Sequence, residues 1–181
     1  MIEGRQFTNI ALVGFMGTGK STVGQIAASM LNFRFLDTDA MIESMAGGRI
    51  ADIFASEGEA RFREMEIEVV AQLQTIEQTV ISTGGGLIAN PNSLASLRQH
   101  ALLVCLWATP ETIFKRIGHQ GHRPLLRVEN PLEKIRALLQ ERAPFYKQAD
   151  VLLSSDFRKP KEVASHVVHE YRAVAQRIPK P

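Results

Sequence analysis

Of 181 residues, 45% are hydrophobic, 22% are charged and one is cysteine, an ordinary globular composition that excludes disordered and fibrous classes and allows a core burying roughly 70% of the unfolded chain's surface. The longest apolar run, residues 101–108, is far below the ~18 residues that cross a bilayer; no apolar signal core opens the chain and one cysteine closes no intramolecular disulfide, so the expectation is one domain over 1–181, away from membranes, in a reducing cytoplasm. The net charge of +2 leaves no nucleic-acid footprint, yet residues 1–90 hold six Lys/Arg against eleven Asp/Glu while residues 91–181 hold fifteen against eight.

Residues 2–5 (IEGR) read equally as a protease-recognition sequence or as native chain, and on either reading are expected to leave the fold untouched. Residues 9–13 form an apolar run ending at glycine and predict a strand; residues 21–31, apolar every three to four positions, predict an amphipathic helix. A second strand is predicted at 33–36, ending at Asp37, and the helical pattern beyond it is broken by Gly47-Gly48. Helix 58–78, strand 79–82, helix 92–99, strand 101–107 and helix 111–117 follow. Residues 118–127 (GHQGHRPLLR) are polar and glycine-containing, which predicts an irregular loop suited to act as a lid. Helix 131–148, strand 151–153 and helix 161–177 complete the series. Buried, non-alternating strands that alternate with helices predict a parallel α/β sheet covered on both faces, with ligands at the carboxyl ends of the strands.

The clearest chemical signal is GFMGTGKS at residues 14–21, which satisfies G-x-x-x-x-G-K-[ST] between a strand and a helix. Glycines let successive N–H groups curl around a phosphate, Lys20 reaches the β/γ-phosphates, and Ser21 offers Mg²⁺ a hydroxyl. No Asn-Lys-x-Asp base-reading motif occurs, which disfavours a GTP switch. Asp37 and Asp39 end the second strand, near the phosphate loop if that strand neighbours the first. One carboxylate can hold a Mg²⁺-bound water and the other a substrate hydroxyl; the alternative is a plain helix cap. Gly84-Gly85-Gly86 exposes amides at the functional edge, or is a simple turn. Arg63 has acids at Glu59 and Glu66 in helical spacing to hold it, as any surface ion pair would. Arg142 precedes Ala143-Pro144, expected to interrupt its helix. Arginine outnumbers lysine fourteen to seven, a bias that fits recognition of small anions, although solvated helix faces use arginine too. The loop at 118–127 carries Arg123, a cation placed to close over a γ-phosphate and exclude water. Its His119 and His122 read as solvated, and Cys105 as a small buried hydrophobe.

Together these motifs resemble the shikimate kinase family over nearly the whole chain. The family pattern of phosphate loop, Asp-x-Asp, Phe-Arg-x-x-Glu, Gly-Gly-Gly, Arg-Pro-Leu-Leu and Arg-x-Pro-Leu-Tyr reads here as residues 14–21, 37–39, 62–66, 84–86, 123–126 and 142–146. Phe145 departs from it, standing where leucine is common. The resemblance implies a P-loop kinase fold, a five-stranded parallel sheet of order 2-3-1-4-5 with a substrate-binding helical segment at about 40–77 and a lid at about 118–127. It further implies transfer of the γ-phosphoryl of ATP to the 3-hydroxyl of shikimate. Asp39, Arg63, Gly85 and Arg142 would bind shikimate, Ser21 and Asp37 would hold Mg²⁺, and Lys20, Asp39 and Arg123 would carry the chemistry. Gly17, Thr18, Gly19, Lys20, Ser21 and Thr22 would bind the nucleotide phosphates, with Arg116 and Arg158 near the base. Two other readings stay open: a related kinase for gluconate or a nucleoside monophosphate, and a nucleotide-binding module without turnover. A monomer is expected.

Overall fold

The computed structural model describes residues 5–117 and 128–175. Its elements run β1 (Asn9–Val13), α1 (Lys20–Leu31), β2 (Arg34–Asp37), α2 (Thr38–Ala46), α3 (Ile50–Ser56), α4 (Gly58–Gln72), β3 (Thr79–Ser82), α5 (Pro91–His100), β4 (Ala101–Trp107), α6 (Pro110–Ile117), α7 (Pro131–Tyr146), β5 (Val151–Ser154) and α8 (Pro160–Ala175). All five strands are parallel, in the order β2-β3-β1-β4-β5. Among the described residues no helix is long and apolar enough to cross a membrane.

Every residue of β1 and β3 is buried, as are the first six of β4. These inner strands have helices on both faces, so both sets of alternating side chains leave water, each Val, Leu or Ile contributing about 1.5–3 kcal/mol. Ile10, Leu12, Val80, Leu102, Val104 and Leu106 meet α1 and α8 on one face. Ala11, Val13, Ile81, Leu103 and Cys105 meet Phe62, Val69, Leu97, Ile113 and Ile135 on the other. Cys105 is fully buried, which pushes its thiol up to about 12 and leaves it the small hydrophobe expected.

Several boundaries and contacts differ from the sequence reading. The helix expected over 58–78 stops at Gln72, a short 3₁₀ turn takes residues 73–75, and Gln78 adopts a left-handed φ of 50° that redirects the chain into β3. Two short helices, α2 and α3, flank the Gly47-Gly48 break. Pro144 does not interrupt α7, which runs two residues past it to Tyr146; so near the end, the missing N–H leaves little of the ladder to lose. Arg5 does contribute to the fold. Its guanidinium donates to Asp150 Oδ1 at 2.6 Å and to the Arg98 and Ala101 carbonyls at 2.8 and 3.1 Å. The strand order, by contrast, is the one the resemblance implies, with β3 lying between β2 and β1. Residues 118–127, with the expected lid, His119, His122 and Arg123, lie outside the described residues.

Candidate active site

All five strands point their carboxyl ends the same way, and the loops leaving them surround a cleft of about 880 Å³. The phosphate loop forms its floor. Gly14 turns out of β1 at φ 134°, where a Cβ would sit 2.1 Å from the Leu106 carbonyl oxygen, so only glycine lets the loop pass β4 so closely. Thr18 Oγ1 donates to the Phe15 carbonyl at 2.8 Å, tying the loop across itself. Lys20 is buried, its ammonium donating to the Gly14 and Phe15 carbonyls at 2.9 and 3.0 Å. Gly17, Gly19, Lys20, Ser21 and Thr22 line the cleft. Thr18 lies buried beneath it.

Although β2 is two strands from β1, Asp37 still reaches the loop, because α1 crosses over β3 on its way between them. Ser21 Oγ donates to Asp37 Oδ2 at 2.8 Å and lies 3.2 Å from Ser82 Oγ at the end of β3. The other oxygen, Oδ1, accepts the Asp39 amide at 3.0 Å and caps α2. Asp37 is therefore a helix cap and an oxygen donor to the cleft at once. Among the described residues no group of three His, Cys, Asp or Glu side chains is placed to hold a metal.

The glycine turn after β3 is a site of close approach. A Cβ on Gly84 would lie 2.6 Å from Asp39 Oδ1 and 3.2 Å from Glu66 Oε1, and one on Gly86 would lie 2.7 Å from Arg63 Nη1. Buried Thr38, between the two aspartates, accepts the Gly84 amide at 2.9 Å and so fixes Asp39 against the turn. Arg63 is held by Glu66 Oε2 at 2.6 Å and Glu59 Oε1 at 2.7 Å, the pairing its spacing predicts. Arg142, on α7, donates to the Gly85 carbonyl at 3.3 Å and lies over the Phe15 ring, 5.7 Å from its centroid. Tyr146, one turn further along α7, donates to the same carbonyl at 2.8 Å. Burial pushes its hydroxyl up to about 12, so it stays a donor. Two guanidinium groups from helices about eighty residues apart thus converge on one glycine turn.

Glu66 is the residue that sequence reasoning undervalued, treating it only as a clasp for Arg63. Its side chain is 5% exposed. Burial, and secondarily the nearby Asp39 charge, raises its pKa against the lowering effect of Arg63. Its Oε1 is buried and has no hydrogen-bond partner among the described residues, while the residue itself borders the cleft. The Phe-Arg-x-x-Glu spacing contained that signal. Arg116 bridges the phosphate loop and the turn after β5, donating to Gly17 O at 3.1 Å and Ser155 O at 2.7 Å. Arg158 is different: its guanidinium meets His166 Nδ1 at 2.9 Å along α8, and it does not line the cleft.

Parallel strands ordered 2-3-1-4-5, with a glycine loop feeding an anion-binding helix start and carboxylates arriving beside it from β2, define a phosphotransferase of the P-loop kinase fold. The shikimate kinase family model matches residues 16–172. The chain belongs to the shikimate kinase family. It is 44% identical over 163 residues to the shikimate kinase of Caldanaerobacter subterraneus subsp. tengcongensis, covering 90% of this chain and 95% of that one. A structure of shikimate kinase from Acinetobacter baumannii in complex with shikimate superposes with a TM-score of 0.88 at 36% identity, covering 92% of this chain and 94% of that one. A gluconokinase from Sinorhizobium meliloti shares the fold alone, with a TM-score of 0.62 at 17% identity over 95% of this chain and 96% of that one.

Proposed function

We propose that the chain transfers the γ-phosphoryl group of ATP to the 3-hydroxyl of shikimate, giving shikimate 3-phosphate and ADP. The observation that carries this reading is the convergence of Arg63 and Arg142 on the Gly85–Gly86 turn, in the cleft that also holds the phosphate loop and Asp39. A carboxylate placed between two guanidinium groups gains charge-assisted hydrogen bonds in a fixed orientation. With the acid group held there, the ring hydroxyls fall toward Asp39, the Gly85 backbone and Glu66.

Asp39 accepts or orients the proton of the 3-hydroxyl as its oxygen bonds to the γ-phosphorus and the bridge to ADP breaks. Lys20 turns its ammonium from the loop carbonyls to the β/γ-phosphate oxygens and neutralises the charge that builds there. Residues 17–22 cradle the phosphates, and Arg116 flanks the base. Arg158 contributes from the turn before α8 only by leaving His166. Arg123, outside the described residues, is the proposed lid cation over the γ-phosphate.

Ser21 Oγ and Asp37 Oδ2 form a compact hard-oxygen pair suited to Mg²⁺, which is commonly held by one or two carboxylates together with substrate phosphates. When bound there, Mg²⁺ supplies charge neutralisation between the β- and γ-phosphates. The same reading takes the protein as a monomeric cytoplasmic single domain over 1–181, with residues 40–77 as the acceptor-binding segment and 118–127 as lid. Coupled ADP release, measured in parallel with shikimate, gluconate and nucleoside monophosphates, tests it. Turnover confined to shikimate supports the reading; faster turnover of another acceptor replaces it, and no ADP with any acceptor points to a binding module.

A further inference from the structure

The Gly47-Gly48 break leads directly into Arg49, a residue that none of the roles above uses. Arg49 is exposed, stands immediately before α3, and lines the cleft with Ile50, Ala51 and Phe54, the stripe that α3 turns inward. Phe54 packs on Phe62 of α4, 4.9 Å between ring centroids. That contact sets the second half of α3 beside the part of α4 that carries Arg63.

Position before a helix is usually taken by a residue that caps it. Arg49 makes no side-chain cap. The Ile50 amide is instead accepted by Glu43 Oε1 from α2, at 3.0 Å. Every other cation lining the cleft is engaged: Lys20 and Arg116 with loop carbonyls, Arg63 with two glutamates, Arg142 with the Gly85 carbonyl. The Arg49 carbonyl accepts the Asp52 and Ile53 amides at 2.9 and 3.1 Å, but its guanidinium has neither a hydrogen bond nor an ion pair among the described residues. It also decides the sign of the cleft. Among the described lining residues, five cations face four carboxylates, so without Arg49 the formal charges cancel.

We infer that Arg49 is a carboxylate-reading residue at the rim of the acceptor half of the cleft, drawing in and holding the acid group of the acceptor alongside Arg63 and Arg142. The inference rests on the acceptor being a small carboxylic acid, as proposed above. An exposed guanidinium acts through a screened field, so its contribution is modest and depends on salt.

The test is steady-state kinetics of wild type, Arg49→Gln and Arg49→Lys with shikimate and with its uncharged carboxamide, at low and high ionic strength and saturating ATP. Arg49→Gln is expected to raise the shikimate KM about two- to fivefold at low salt, with kcat and the ATP KM unchanged, and the gap should close as salt rises. Arg49→Lys should restore most of the loss. The kcat/KM for the carboxamide should be the same in all three proteins. An unchanged shikimate KM at low salt overturns the inference, as does a loss that is independent of salt or equal for both acceptors, which would mean that Arg49 acts through the shape of the loop. Failure of the wild-type protein to phosphorylate shikimate is a separate result, and it strikes the acceptor assignment instead.

Discussion

The two ends of the sheet are both polar, yet they use polarity in opposite ways. At the amino end, Asn9 is fully buried and nearly saturated. Its Oδ1 accepts the Thr79 amide at 3.0 Å, and its Nδ2 reaches Ile76 O at 2.6 Å, His100 Nδ1 at 3.0 Å and Thr8 Oγ1 at 3.2 Å. At the carboxyl end, the polar groups face an open cleft, several held in pairs that a ligand could replace. Helices following parallel strands begin at the carboxyl end, where their N–H groups attract anions. The amino end has no such attraction and can be closed for stability. Polarity marks function only where the architecture leaves it room.

The sharpest contrast should come from Lys20→Ala. It removes the cation proposed for the β/γ-phosphates and leaves the apolar layers intact, so turnover should fall by roughly 10³ or more while the thermal midpoint moves little. A folded variant with wild-type turnover would break the assignment of chemistry to this end.

Next in size, Arg63→Ala and Arg142→Ala should each raise the shikimate KM, by ~1.5–3 kcal/mol per lost charge-assisted contact, with ATP KM little changed. The double variant should lose less than the sum, because both guanidiniums address one carboxylate. Strict additivity in titration calorimetry would mean that they read separate groups.

Asn9→Ala tests the amino end. It strands the buried Thr79 amide and Ile76 carbonyl, costing about 2–3 kcal/mol, read as a fall in thermal midpoint of several degrees. Protein still folded at the assay temperature should keep its kcat. A variant that loses kcat without losing stability would show that the two ends are coupled.

The smallest effect concerns His100. The Thr79 amide fixes the orientation of Asn9, so Asn9 Nδ2 donates to His100 Nδ1, and Nε2, which has no hydrogen-bond partner among the described residues, carries the ring proton. Burial lowers the pKa of this ring, and protonation would set two donors face to face. The folded pKa lies below the unfolded value of about 6.5, so the unfolded chain binds more protons as pH falls. The stability His100 contributes is complete above about 6.5 and is lost as pH drops through the folded pKa. Denaturant melts of wild type and His100→Gln from neutral to mildly acidic pH should converge as pH falls; parallel curves would remove His100 from the pH dependence.

Much of this site was legible before folding was considered. The phosphate loop announces itself because nearly every position does local work within eight consecutive residues, and the acids around Arg63 follow directly from helical spacing. Arg61 shows the limit of that reading. It too has acids at helical distances, in Glu57, Glu64 and Glu68, and it pairs with them on the outer surface. Two residues further along, a rotation of about 200° turns Arg63 toward the cleft, and only the packing of α4 says which rotation faces inward.

The sequence by itself determined the class of fold, the nucleotide loop and the residues able to carry the chemistry, because periodicity, glycine conformation and motif spacing act over a few neighbouring residues. It could not order the strands from their apolar runs, since any arrangement of such strands buries them equally. Tertiary structure decided that β3 separates β1 from β2 and that Asp37 serves two masters with its two oxygens. It also brought Arg63 and Arg142 to one turn, placed Arg49 at the rim and paired Arg158 with His166. Those outcomes depend on contacts between segments distant in the chain, whose geometry comes from the packing of whole helices against the sheet.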